Sequence, residues 1–142
     1  MKIQKFIFYA LSFTWGIIMT LAGLLVAGVL LLFGIKPKKH AWVYYFEVGE
    51  NWGGFNLGII TITSKTPSVK TLNHEFGHAI QNCMWGPFMP FVISIPSAVR
   101  YWYRMFKYYM KGVDPTVGYY DIWFEGEATR IGTEVADHIS GK

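Results

Sequence analysis

His74-Glu75-Phe76-Gly77-His78 is the stretch on which the reading of this chain turns. On an α-helix, positions i and i+4 stand one above the other, so both imidazoles can face one ion. Glu75 projects about 100° away from His74, within reach of a water on that ion but badly placed to ligate it. Two nitrogen ligands and a carboxylate base on one helix form the H-E-x-x-H arrangement of hydrolytic zinc sites.

The flanks agree with a helix. Ser64-Lys65-Thr66-Pro67-Ser68 ends a strand and starts it, with Thr66 as the expected cap and Pro67 at the first helical position. Val69, Leu72, Phe76, Ile80 and Cys83 recur at helical spacing, and Gly86-Pro87 stops the run. Gly77 in mid-helix costs about 1 kcal/mol relative to alanine, so something is expected to pack or bind closely there.

Catalytic zinc usually takes three protein ligands and keeps a fourth position for water. Downstream, between Tyr119 and Ile139, the residues Phe124, Ala128, Gly132, Val135, Ala136 and Ile139 define one helical stripe, and Glu125 falls within it. Glu127 falls on the other face with Arg130 and Glu134. A carboxylate on a buried face must be paired or bound to metal, which makes Glu125 the preferred third ligand over Glu127.

On these residues the chain resembles the gluzincin class of zinc metallopeptidases, of which thermolysin is the familiar example. In that class the H-E-x-x-H helix is followed by a second helix carrying Glu-x-x-x-Asp and a glycine three residues on. Glu125-Gly126-Glu127-Ala128-Thr129-Arg130-Ile131-Gly132 has the glutamate and the glycine in register. The resemblance runs from the edge strand to Gly132. It implies one zinc held by His74, His78 and Glu125, Glu75 as catalytic base, and some part of Phe55 to Thr63 as the strand beside a peptide or protein substrate. Thr129 stands where the family has an aspartate that orients a ligand histidine; its hydroxyl can accept from an imidazole N–H but is neutral and short. Asp121, one turn earlier, is the alternative for that role, and the separation between the two helices is longer than in thermolysin. Tyr119, Tyr120 and His138 are candidates for stabilising the oxyanion.

Composition puts this site at a membrane. Of 142 residues, 52 % are hydrophobic and 15 % charged, too apolar for an ordinary soluble domain of this size. From Phe6 to Ile35 there is no charge. A bilayer core needs about 20 apolar residues, so residues 1–35 are expected to form one N-terminal transmembrane anchor, with residues 36–142 as a small zincin-like domain. A cleaved signal peptide, the competing reading, would carry an apolar region about half as long. Lys2 and Lys5 precede the run and Lys36, Lys38 and Lys39 follow it, which by the positive-inside rule places the body of the chain on the cytoplasmic side. Gly16, Gly23 and Gly28 offer a close-packing face. The net charge of +4 is modest and spread out, with no phosphate loop or nucleic-acid module, so the basic residues suit lipid head groups and no nucleic-acid role. The lone Cys83 excludes a disulfide framework and a Cys-rich zinc site.

The remaining segments complete an α+β, mainly helical expectation. Ala41 to Val48 and Phe55 to Thr63 favour strands around the turn-rich Gly49 to Gly54, giving an antiparallel hairpin packed on the metal helix. A free edge there would let an extended peptide add beside the metal; a purely structural sheet is the alternative. Ala79 to Val99 is uncharged but contains Pro87, Pro90 and Pro96, and so reads as an apolar lid, or as a loop dipping into the interface, rather than a straight membrane helix. Arg100 to Lys111 mixes aromatic and basic residues, as in a head-group-level segment or a helix covering the core. His40, after a lysine cluster, is expected at the interface. The function expected is a membrane-anchored zinc metallopeptidase. Two alternatives stand beside it: a non-enzymatic membrane protein with a structural or vestigial metal site, and a site-2-type intramembrane protease using Asp114, against which Lys65 and Lys70 argue.

Overall fold

The computed structural model describes residues 2–112 and 122–141. In chain order it contains α1 (Lys2–Phe13), α2 (Ile17–Leu32), β1 (Lys38–His40), β2 (Val43–Glu47), β3 (Gly54–Leu57), β4 (Ile60–Thr63), α3 (Val69–Trp85), α4 (Ile95–Lys111) and α5 (Trp123–Ser140). A 3-10 turn at Gly86–Phe88 and a π-helical turn at Pro90–Ser94 link α3 to α4. The protein is thus α+β and mainly helical, with one four-stranded sheet.

The uncharged N-terminal run departs from the single span expected of it. α1 and α2 meet at 86° across residues 14–16, and among the described residues no single helix is long and apolar enough to cross a membrane. No proline marks the break. Its cause is the partners that the bend finds on α3. The carbonyl of Gly16 accepts from Asn82 Nδ2 at 3.1 Å, and Trp15 Nε1 donates to the Met84 carbonyl at 3.4 Å. A Cβ on Gly16 would collide with the Asn82 amide. α2 then packs on the sheet through Gly23, where a Cβ would strike the Leu57 carbonyl, while Gly28 has nothing within 4 Å.

The sheet also differs from a simple hairpin. Gly58, at a φ of +66°, turns the chain inside the second strand-forming run and splits it into β3 and β4, which pair antiparallel. β4 lies between β3 and β2 and runs parallel to β2, so the strand order is β1-β2-β4-β3. The two runs expected to pair directly are therefore related by a parallel pairing, and β3 is left at the edge.

At the entry to α3 the cap is Ser68, whose Oγ accepts from the Thr71 amide at 3.1 Å. Thr66 instead takes a left-handed φ of +52°, and Pro67 precedes the cap rather than opening the helix. The lid segment is helical for much of its length. Pro87, Pro90 and Pro96 each fall in the first turn of a helical piece, where no amide donor is needed. Met89 and Ile93 from it are buried with Met19, Leu57 and Phe124. A second core joins Phe8 of α1, Trp42, Phe46 of β2 and Phe76 of α3, with the ring centroids of Phe8, Trp42 and Phe76 5.5–6.1 Å apart. Packed structure thus spans both sides of residue 35.

α3 and α5 cross with no side chain between them. A Cβ on Gly77 would fall on the Ala128 carbonyl, and one on Gly132 would fall on the Asn73 carbonyl. The close approach expected at Gly77 is therefore to another helix backbone. This crossing sets what α5 brings to the face of α3.

Candidate metal centre

α3 presents His74 and His78 one turn apart, with ring centroids 4.7 Å from each other and both rings buried. α5, held against α3 at the paired glycines, delivers Glu125, which is fully buried. Its Oε2 lies 3.1 Å from His74 Nε2 and 3.2 Å from His78 Nε2. Donor atoms of all three residues fall within 4.8 Å of one another, a group that could hold a metal ion. Ligands about 2.0–2.1 Å from a tetrahedral zinc would stand about 3.3 Å apart, close to the two distances from Glu125 Oε2 to the imidazoles.

Hydrogen bonds fix both imidazoles in the ligating orientation. Thr129 Oγ1 donates its one hydrogen to the Glu125 carbonyl at 3.1 Å. Its 2.8 Å contact with His74 Nδ1 must then be accepted from an Nδ1–H, which turns Nε2 toward Glu125 as the nitrogen that would give up its proton to a metal. Gln81 does the same for His78. Its amide nitrogen donates to the Phe124 carbonyl and to Glu127 Oε2, both at 2.9 Å, so its Oε1 accepts from His78 Nδ1–H at 2.8 Å. Thr129 thus occupies the orienting position expected of it. Glu127, assigned to a solvated face by periodicity, is instead tied into this network. Ser97, from the first turn of α4, donates to Glu125 Oε1 and leaves Oε2 as the atom turned toward the rings.

The electrostatics ask for positive charge at the centre. Burial alone would favour a protonated Glu125, but hydrogen bonds from His74 and His78, the His78 charge and Ser97 hold its carboxyl well below the usual carboxylate range. Burial would favour a neutral His78, yet the hydrogen bond to Glu125 and the charges of Glu75 and Glu125 raise its proton affinity. Glu75 is pushed up by burial, partly offset by the two histidines. Its Oε2 has no hydrogen-bond partner among the described residues, a costly state for a buried carboxylate oxygen. Glu75 lines a cavity of about 30 Å³, enough for one or two waters. Gly54 of β3 makes the room, since a Cβ there would meet the Glu75 carboxylate. Phe55 and Asn56 of the same edge strand line the cavity opposite His78.

Other candidates separate. Tyr119, Tyr120, Asp121 and Asp114 lie outside the described residues. His138 is exposed and lines a different groove, beside Glu134 and Ile139. Thirteen residues after Glu125 on one helix, it is about 20 Å away along the axis, too far for an oxyanion role. His40 Nε2 donates to Asn73 Oδ1 at 2.8 Å, bracing α3 next to His74. Reading the sequence missed Gln81 and Ser97. Gln81 continues the i, i+4, i+7 row of His74 and His78, which was a signal; nothing local marks Ser97. Comparison with protein-family models, curated proteins and solved structures finds no match for this chain.

Proposed function

We propose that this chain is a membrane-associated zinc metallopeptidase that hydrolyses peptide bonds with Glu75 as general base. The observation that carries the reading is a three-donor cluster in ligating form with an unpartnered, buried Glu75 oxygen beside it. His74, His78 and Glu125 would hold the ion. Zinc, when bound, would supply a polarised carbonyl and an acidified water. Glu75, its proton affinity raised by burial, takes a proton from the attacking water and returns it to the leaving amine. The free edge of β3 offers main-chain groups to an extended substrate, and Gly54 keeps that edge clear of the base. Thr129, Gln81 and Ser97 hold the ligands in register.

Three donors among the described residues, with a water-sized cavity beside them, support a catalytic over a structural zinc, which four protein ligands would close. The position of Glu125 beside both imidazoles supports it as third ligand; Asp114, used in the site-2-type alternative, lies outside the described residues. Metal analysis and peptide hydrolysis by the purified full chain test the reading. One zinc per chain is expected, lost in His78→Ala and retained in Glu75→Gln, with hydrolysis falling about 10²–10⁴-fold in the latter. A well-folded wild-type chain that takes up no metal would overturn it.

A further inference from the structure

We infer that the outward face of α4 is seated in the head-group region of a bilayer containing anionic lipid, so that the metal cleft opens at the membrane surface. The starting observation is a helix of reversed polarity. Ile95, Val99, Trp102, Phe106 and Tyr109 recur at steps of four and three residues, which places them on one stripe of the helix. All five are exposed, from 52 % for Ile95 to 77 % for Tyr109. Arg100, Arg104, Lys107 and Lys111 recur at the same steps about 140° around the helix, and Arg100 and Arg104 are half-buried. None of the residues of α4 is fully buried. A helix bathed in water turns its apolar stripe in; this one exposes the whole stripe and half-buries two of its four charges, so the medium the stripe meets is apolar.

The composition of that face selects lipid over a protein partner. Trp102, Tyr103, Tyr108 and Tyr109 have rings with one apolar and one polar end, the type that settles at head-group depth. Lys107 and Lys111, both exposed, have apolar stems long enough to reach phosphates from beside the stripe. α4 contains no acidic residue to repel them. The same chain shows a second apolar exterior on α1 and α2, where Phe6, Leu25 and Leu32 are 74–89 % exposed. The turn leading into α4 touches α2, with Ser94 Oγ 3.9 Å from Met19 Sδ.

α4 is also part of the cleft. Ser97 in its first turn holds Glu125, and Ser94 and Ser97 line the cavity. Lipid contact along α4 requires no catalysis. Its consequence for the substrate rests on the metallopeptidase reading: the cleft takes a polypeptide segment lying on, or emerging from, the bilayer surface.

Cys83 is the lone cysteine, so nitroxide labels can be placed singly at Val99, Trp102 and Phe106 in a full-length Cys83→Ser background. With the chain in phosphatidylcholine–phosphatidylglycerol vesicles, collisions with oxygen and with a water-soluble nickel chelate report the medium at each label. The expected result is an oxygen-to-nickel ratio several-fold higher at all three sites than at a label on the exposed Lys65. Nickel access equal to that at Lys65 would mean water and overturn the inference; low collision with both reagents would mean cover by protein, a second copy included, and would overturn it equally. Neither outcome touches zinc binding or hydrolysis, so failure here is distinguishable from failure of the metallopeptidase reading. The labelled positions are exposed, so the labels themselves do not enter the core.

Discussion

Thr129 and Gln81 ligate nothing, yet each decides which nitrogen of a histidine carries the proton. Replacing Thr129 with valine keeps the shape and removes the acceptor, and Gln81→Leu does the same for His78. Each is expected to weaken metal affinity about 10–100-fold with all three ligands in place. Competition titration against a chelator of known affinity measures this; unchanged affinity in both variants would show that the rings are oriented by packing alone. The cluster of His74, His78 and Glu125 was legible from spacing and from an inward-facing stripe, because helix geometry converts sequence separation into direction. Gln81 was not read because a polar side chain on a helix ordinarily faces water. Ser97 was beyond reach, since its contact with Glu125 is made by the packing of two helices that sequence spacing does not relate.

Among the elements, the crossing of α3 and α5 is what turns two separate helices into one site. Gly77 and Gly132 let backbone meet backbone, so any side chain at either position forces the helices apart. Gly77→Ala and Gly132→Ala are each expected to cost about 1–3 kcal/mol by overpacking and to lose metal, because Glu125 retreats with its helix. Gly28→Ala is the control. It lies in a helix with nothing near its missing Cβ and should be neutral or stabilising by up to about 1 kcal/mol. Denaturant unfolding and metal content of the three variants test the argument, and equal metal loss in all three would defeat it. The helices themselves were visible in their periodicity. The strand order was not, because β2 and β4 pair in parallel across an intervening strand and only the turn at Gly58 hints that the second run divides.

For the molecule as a whole, the N-terminal run is the part the sequence described least well. Thirty uncharged residues look like one straight span when only hydropathy is weighed. The 86° bend arises from specific contacts with α3 that hydropathy does not encode. Those contacts fall on Asn82 and Met84, on the same helix as His74 and His78 and between one and two turns beyond His78. α1 and α2 are therefore coupled mechanically to the metal ligands. If the pair resides in lipid, a change in hydrocarbon thickness acts as a lever, straightening or folding the elbow at Gly16 and tugging on the helix that carries the imidazoles. Zinc affinity is then expected to differ between vesicles of short-chain and long-chain lipid, and Asn82→Ala should flatten the difference. Equal affinity in both would mean the elbow is slack. A difference abolished by Asn82→Ala would make the elbow a gauge of bilayer thickness, read out at the imidazoles.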